Sequence, residues 1–334
     1  MNGQLQADAA VLQERDSFTG TGWTKVLAPA KVNLRLAIGA RRLDGYHNAV
    51  SIMHALALHD VVYLRRMPGT PAVPGEDLPV KITMVGCGDV EAPEVPPEKN
   101  IAVRAVRALV VALAGKGEEA SAAIDSGIEI RIEKNIPSEA GLGGGSSDAA
   151  AVLAGLARLW HLESADGNAM LESVARSLGA DVAFFLRGGC AYLDGVGDCF
   201  SHALEPRRES VVLVKPAGGV STAAAYTTFD QLPQLAESVA ASQAQAQAAR
   251  TANEIELFNN LAVAAESLMP ELADIRSWLE SQPGVVGALL SGSGSATFAV
   301  CDSFDAACRI VAAARTRGFW ARTTAFSSIR ATVC

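Results

Sequence analysis

Aromatic residues are scarce in this sequence of 334 residues: four Tyr, four Trp and ten Phe, none interleaved with a stripe of lysine or arginine. That excludes the basic, aromatic surface of a nucleic-acid binder. The net charge of −8, from 36 Asp and Glu against 28 Lys and Arg, also works against any nonspecific hold on phosphate backbones. The six cysteines (Cys87, Cys190, Cys199, Cys301, Cys308, Cys334) include no Cys-x-x-Cys pair, and the five histidines no His-x-x-x-His. A protein-built zinc site is therefore not expected, and the thiols read as reduced. The longest apolar runs, Ala105–Gly115 and Ala149–Trp160, fall short of the ~18 residues that nominate a membrane span. Met1–Trp23 lacks both the basic start and the apolar core of a secretory signal and reads as a loose, disordered tail. The expectation is a soluble cytoplasmic protein with a small-molecule partner, no nucleic-acid or membrane partner, and homodimer formation left open.

What is present is a globular composition, 49% hydrophobic, long enough for two domains or one bilobed unit. Val32–Ile38 alternates, with Val32, Leu34, Leu36 and Ile38 on one face and Asn33 and Arg35 on the other, as a half-buried strand does. Ile128–Ile132 alternates likewise. Helices are expected at Asn100–Ala114 and Ala169–Leu178, and a strand at Val211–Val214. The Ala-, Gln- and Ser-rich stretch Leu232–Glu256 reads as a surface loop or exposed helix. Leu257–Glu280 is apolar at helical intervals, Val285–Cys301 reads as strand, Ser-Gly-Ser-Gly-Ser turn, strand, and a last helix falls near Phe304–Arg317.

The most informative segment follows the Ile128–Ile132 strand: Pro137-Ser138-Glu139-Ala140-Gly141-Leu142-Gly143-Gly144-Gly145-Ser146-Ser147-Asp148, then the helical pattern Ala149–Trp160 with Ser146, Ser147 and Asp148 as candidate caps. Four glycines within five residues exceed what a tight turn requires. They let backbone amides converge on an anion, to which the helix adds its positive end. No Gly-x-x-x-x-Gly-Lys-Ser/Thr and no Gly-x-Gly-x-x-Gly occurs, so P-loop NTPases, Rossmann dehydrogenases and protein kinases lose weight. A Tyr46-His47 pair after Asp44-Gly45 suits a nucleobase, with a ring to stack and an imidazole to hydrogen-bond.

The loop resembles the Pro-x-x-x-Gly-Leu-x-x-x-Ser-Ser phosphate loop of the GHMP superfamily of small-molecule kinases. Ala28–Leu34 and Leu290–Ala296 are similar to that superfamily's first and third motifs, in the right order around the second. Pro29–Asn48, Gly141–Leu153 and Leu178–Gly189 resemble the branch whose acceptor is a cytidine diphosphate methylerythritol. The resemblance implies an α+β, two-lobed GHMP kinase fold with the active site between the lobes. It places a nucleotide-binding domain over 24–200 and a substrate domain over 209–334. It implies ATP as cosubstrate with Mg²⁺, the loop Pro137–Ser147 around the phosphates, and Asn100 and Lys134 at the adenine end. Asp181 is implied as the catalytic carboxylate, with Lys31 as its cationic partner. Asn33, Tyr46, His47 and Tyr226 are implied on the acceptor side, the two tyrosines stacking on a cytosine. Ser146 or Ser147 offers a hydroxyl to Mg²⁺, but no residue is assigned as a metal ligand. The alternatives are another GHMP kinase acting on homoserine, mevalonate or a sugar, and a non-catalytic nucleotide-binding relative. Two departures from the pattern stand out: Glu139 puts a negative charge inside the phosphate loop, and Asn259-Asn260-Leu261 replaces the more familiar Asn-Asp-Leu.

Overall fold

The computed structural model describes residues 22–73, 76–117, 124–233 and 236–334. Residues 1–21 of the expected tail lie outside the described residues. Trp23 does not belong to a tail, since it meets Tyr63 edge-on at 6.5 Å and lies under the Arg65 guanidinium at 4.4 Å.

The alternation at Val32–Ile38 belongs to a longer strand, β1 (Thr24–Arg41), which forms an antiparallel hairpin with β2 (His47–Pro71). The strand is buried on both faces, and a register shift between Asn33 and Arg35 sends these two polar side chains to different neighbours. Asn33 turns to the cleft described below, whereas Arg35 reaches Ser242 and the Glu256 carbonyl. The sheet continues through β3 (Val80–Gly86) and β4 (Ser126–Lys134), with β5 (Cys190–Asp194) and β6 (Cys199–Leu204) branching from β2.

One face of this sheet is covered by α1 (Ile101–Ala114), α2 (Gly144–Leu159), α3 (Ala165–Leu178) and α4 (Ala180–Arg187). Val62, Leu64, Ile130 and Ile132 pack there against Leu109, Leu153, Val174 and Phe185. Each such side chain stabilises the fold by roughly 1.5–3 kcal/mol on burial. The opposite face, with Val32, Leu34 and Ile52, meets Leu213 and Phe298 of a second, antiparallel sheet. That sheet runs β11–β7–β10–β9, from β7 (Ser210–Lys215), β9 (Val285–Leu290), β10 (Thr297–Cys301) and β11 (Trp320–Ala325). Its far side carries α8 (Glu271–Glu280) and α9 (Phe304–Thr316) through Ile275, Leu279 and Ile310.

The lobes interleave. β8 (Phe258–Asn259) and β12 (Thr332–Val333) both return to pair with β1. Between β7 and β9 lie α5 (Thr222–Phe229), α6 (Ala236–Ala248) and α7 (Ala262–Leu268). The Ala- and Gln-rich stretch forms α6 and its flanks, a surface helix that exposes Ala244, Gln247 and Ala248 on one face and buries Ser242 and Ala246 on the other, where Ser242 Oγ accepts the Arg35 Nε–H at 2.9 Å. Small residues let this helix approach the sheet closely without large apolar side chains.

Candidate active site

A cleft of about 790 Å³ opens between the lobes, within the roughly 300–1,000 Å³ usual for small-molecule sites. Pro137 through Ser146 line it, whereas Ser147 is fully buried and faces away. α2 begins at Gly144, two residues before the expected caps, so Ser146, Ser147 and Asp148 lie in its opening turns instead of capping it. The residue at the cap position is Gly143, at φ +73°, which has no side chain to accept from the leading N–H groups. Uncapped amides at the positive end of a helix receive an anion. Packing also requires the glycines: a Cβ on Gly141 would lie 2.0 Å from the Ser291 carbonyl oxygen, and one on Gly143 would lie 2.8 Å from the Phe185 ring.

Neighbouring strands hold the loop by its carbonyls. Lys31 N–H donates to the Leu142 carbonyl at 3.0 Å, Ser291 Oγ to that of Gly141 at 3.0 Å, and Ala296 N–H to that of Ala140 at 3.0 Å. The Ser-Gly-Ser-Gly-Ser turn is therefore a backbone buttress. Glu139, at φ +51°, accepts from Ser295 through its carbonyl, and its side chain lies against Gly219 of the second lobe. Burial lowers the Lys215 ammonium below its ordinary value, and the charge of Glu139 offsets part of that.

Lys31, 4% exposed, donates from Nζ to Asn33 Oδ1 at 2.6 Å and lies 3.5 Å from Asp181 Oδ2. Asn33 Nδ2 donates in turn to Ser51 Oγ at 2.9 Å, a contact with no signal in the sequence pattern. Asp181 stands in the first turn of α4, whose cap is Gly179, so this carboxylate also faces the positive end of a helix.

Lys134 lines the same cleft, but its ammonium is clamped between Asp60 and Asp148, at 2.6 Å from the latter. Asp60 also accepts the Asn135 and Ile136 N–H groups, which ties the start of the glycine loop to β2. Burial alone would lower Lys134; the two carboxylates reverse that and hold it above its ordinary value. Burial pushes Asp148 up to about 8, with the Lys134 charge opposing the shift and the Asp60 charge adding to it. Asn100 caps α1, its Oδ1 accepting the Ala102 N–H at 2.9 Å, and borders the cleft beside Met84.

On the acceptor side, Tyr226 lines the cleft and His47 lies against it from behind, ring centroids 5.3 Å apart, whereas neither His47 nor the neighbouring Tyr46, which is 63% exposed, belongs to the lining. The imidazole does not present a free nitrogen, because Nδ1 faces the Gly39 carbonyl at 2.9 Å and Nε2 faces Asp230 at 3.3 Å. Asp230 was not legible as a site residue; its only sequence signal is the four-residue spacing from Tyr226. Tyr226 also feels Asp181: burial, reinforced by the charge of Asp181, pushes its phenol up to about 12. Asn260 accepts the Ile38 N–H and donates to the Ile38 carbonyl, both at 2.8 Å, a double contact that a carboxylate in its place could not complete.

An uncapped glycine cradle facing a lysine–aspartate couple, between two interleaved α+β lobes, is the working part of a GHMP kinase. The family models described as GHMP kinases N terminal domain and GHMP kinases C terminal match residues 100–189 and 237–318, which contain the cradle and its buttress respectively. A 4-diphosphocytidyl-2-C-methyl-D-erythritol kinase of Desulfitobacterium hafniense (strain Y51) is 39% identical over 88% of this chain and 93% of its own length. One of Nocardia farcinica (strain IFM 10152) is 35% identical over 86% and 88%. The crystal structure of a 4-(cytidine 5'-diphospho)-2C-methyl-D-erythritol kinase superposes with a TM-score of 0.65 at 32% identity, covering 91% of this chain and all of that one. A homoserine kinase from Cytophaga hutchinsonii matches with a TM-score of 0.66 at 19% identity over 94% and 98%, a likeness of fold alone. The chain belongs to the 4-diphosphocytidyl-2-C-methyl-D-erythritol kinase family.

Proposed function

We propose that this protein transfers the γ-phosphoryl group of ATP to the 2-hydroxyl of 4-diphosphocytidyl-2-C-methyl-D-erythritol, a step in isoprenoid precursor synthesis by the non-mevalonate route. The observation that carries the reading is the Lys31–Asp181 couple, 3.5 Å apart at the edge of the glycine cradle, in a chain whose relatives bear that enzyme's name. Phosphoryl transfer asks mainly for alignment and charge compensation. The leading amides of α2 receive the phosphates, and Asn100 borders the adenine end. Lys31, steadied by Asn33, offers its remaining N–H to the transferred group. Asp181 orients the acceptor hydroxyl and takes its proton as the new O–P bond forms and the bond to the ADP oxygen breaks.

Mg²⁺, carried on the nucleotide, supplies charge neutralisation. Among the described residues no three His, Cys, Asp or Glu side chains cluster to hold a metal, and the hydroxyl that borders the phosphates is that of Ser146. Dependence on ATP points to the cytoplasm.

The test is an ADP-release assay with Mg²⁺-ATP and the cytidine substrate, run beside homoserine, mevalonate and galactose, on the wild type and Asp181→Ala. Turnover confined to the cytidine substrate and abolished in the variant is the expected result. Turnover of a different acceptor would overturn the substrate, and none with any acceptor would overturn the activity.

A further inference from the structure

Away from the reacting groups, the densest polar arrangement on the acceptor side joins the start of β2 to the end of α5. His47 is buried, and its two ring nitrogens face the Gly39 carbonyl at 2.9 Å and Asp230 Oδ1 at 3.3 Å. The other oxygen of Asp230 lies 3.6 Å from the Arg41 guanidinium. Tyr226 and Asp230, four residues apart, share one face of α5 and its cap. The Tyr226 ring is tilted 43° to the imidazole, and Phe229 meets that imidazole edge-on at 6.1 Å. One turn of helix from the second lobe thus grips a single histidine of the first.

We infer that Asp230 is a positioning residue for recognition of the acceptor's nucleobase, acting through His47. This rests on the reading above that the acceptor carries a cytidine. Set between the Gly39 carbonyl and Asp230, the imidazole is fixed in place and packs against Tyr226, the ring that lines the cleft, so it sets how that ring is presented to a flat pyrimidine. Without the carboxylate the imidazole is left with the Gly39 carbonyl and Arg41 with the Gly45 carbonyl, and Tyr226 loses its backing. Asp230 touches neither Lys31, Asp181 nor the glycine cradle, so its effect belongs to the acceptor rather than to ATP.

The experiment compares the full-length wild type with Asp230→Ala, Asp230→Asn, His47→Ala and the double variant His47→Ala/Asp230→Ala. It measures steady-state constants for both substrates, CDP binding by calorimetry, and the thermal midpoint. Loss of a charge-assisted contact of this kind predicts, for Asp230→Ala, about a tenfold rise in KM for the cytidine substrate and a similar weakening of CDP. KM for ATP and kcat should move less than about twofold, since those groups are untouched. Asp230→Asn keeps an acceptor and should recover most of the loss, and in the His47→Ala background Asp230→Ala should add nothing. Equal losses in kcat and both KM values with a lowered midpoint, or additive effects in the double variant, would overturn the inference. If Asp230→Ala fails to fold, Asp230→Asn and Asp230→Glu decide: a rise in the cytidine KM alone for the longer side chain supports it, and no change in either variant overturns it. A wild type that binds no CDP and phosphorylates a different acceptor would overturn the proposed substrate, and the inference with it. CDP binding that is equal in wild type and Asp230→Ala overturns the inference alone.

Discussion

Lys31 and Lys134 flank the same glycine loop and are buried to nearly the same degree, yet their surroundings are opposite. Lys134 sits between Asp60 and Asp148, so its charge is matched within the fold, and what it holds is structure: the end of β4, the start of α2 and, through Asp60, β2. Lys31 has one neutral partner at 2.6 Å and one carboxylate at 3.5 Å, which leaves an N–H and most of its charge uncommitted beside the cradle. A buried ammonium saturated by anions serves the fold, and an under-matched one is available to an incoming phosphate.

The largest expected effect tests the structural half of this contrast. Lys134→Met leaves Asp60 and Asp148 without their buried cation and should cost about 3–5 kcal/mol in urea unfolding; a variant of wild-type stability would erase the distinction. Lys31→Met should instead unfold at an unchanged midpoint while kcat falls about 10²–10³-fold, the usual loss on removing a group that compensates transition-state charge.

Asn33→Ala sharpens the catalytic half. Releasing the ammonium from its nearest anchor should lower kcat by about tenfold, in line with ~1.5 kcal/mol for a hydrogen bond to a charged group, with KM for ATP nearly unchanged. The smallest effect concerns Asp148. Its folded value of about 8 lies above the ordinary carboxylate range, so the native state keeps a proton that the unfolded chain has released. The stability this contributes is complete below pH ~4 and is lost as the pH rises toward 8. Asp148→Asn should therefore flatten the fall of unfolding free energy over that window, by on the order of 1 kcal/mol between pH 6 and 8.

The parts of the molecule that local pattern encodes were legible. The alternation at Ile128–Ile132, the glycine run and the helix opened by Asn100 all depend on neighbours within a few residues. What local pattern could not carry was decided by distant contacts. α2 was expected to start after Ser146–Asp148 because glycine is a poor helix former, but the helix includes Gly144 and Gly145, packed beside Ile136 and Ile101. The Leu232–Glu256 stretch looked solvated because its buried face consists of Ser242 and Ala246, which give no hydrophobic period. Lys134 could be placed near the nucleotide only by resemblance, since Asp60, which clamps it, lies 74 positions away. His47 was expected to offer a free imidazole to the base, and nothing near it in sequence announced Asp230.

The pairing of β12 with β1 bears on the order in which the molecule can be made. Val26 and Leu27 find Val333 and Thr332 across the sheet, the Cys334 N–H donates to Lys25, and the Ala331 N–H donates to Phe185 beside the cradle. Synthesis makes the strand that bears Lys31 long before the residues that close its edge. Until they arrive that edge is an open template for other strands. Removing Ala331–Cys334 would be felt on the strand that bears Lys31 before it was felt in the second lobe.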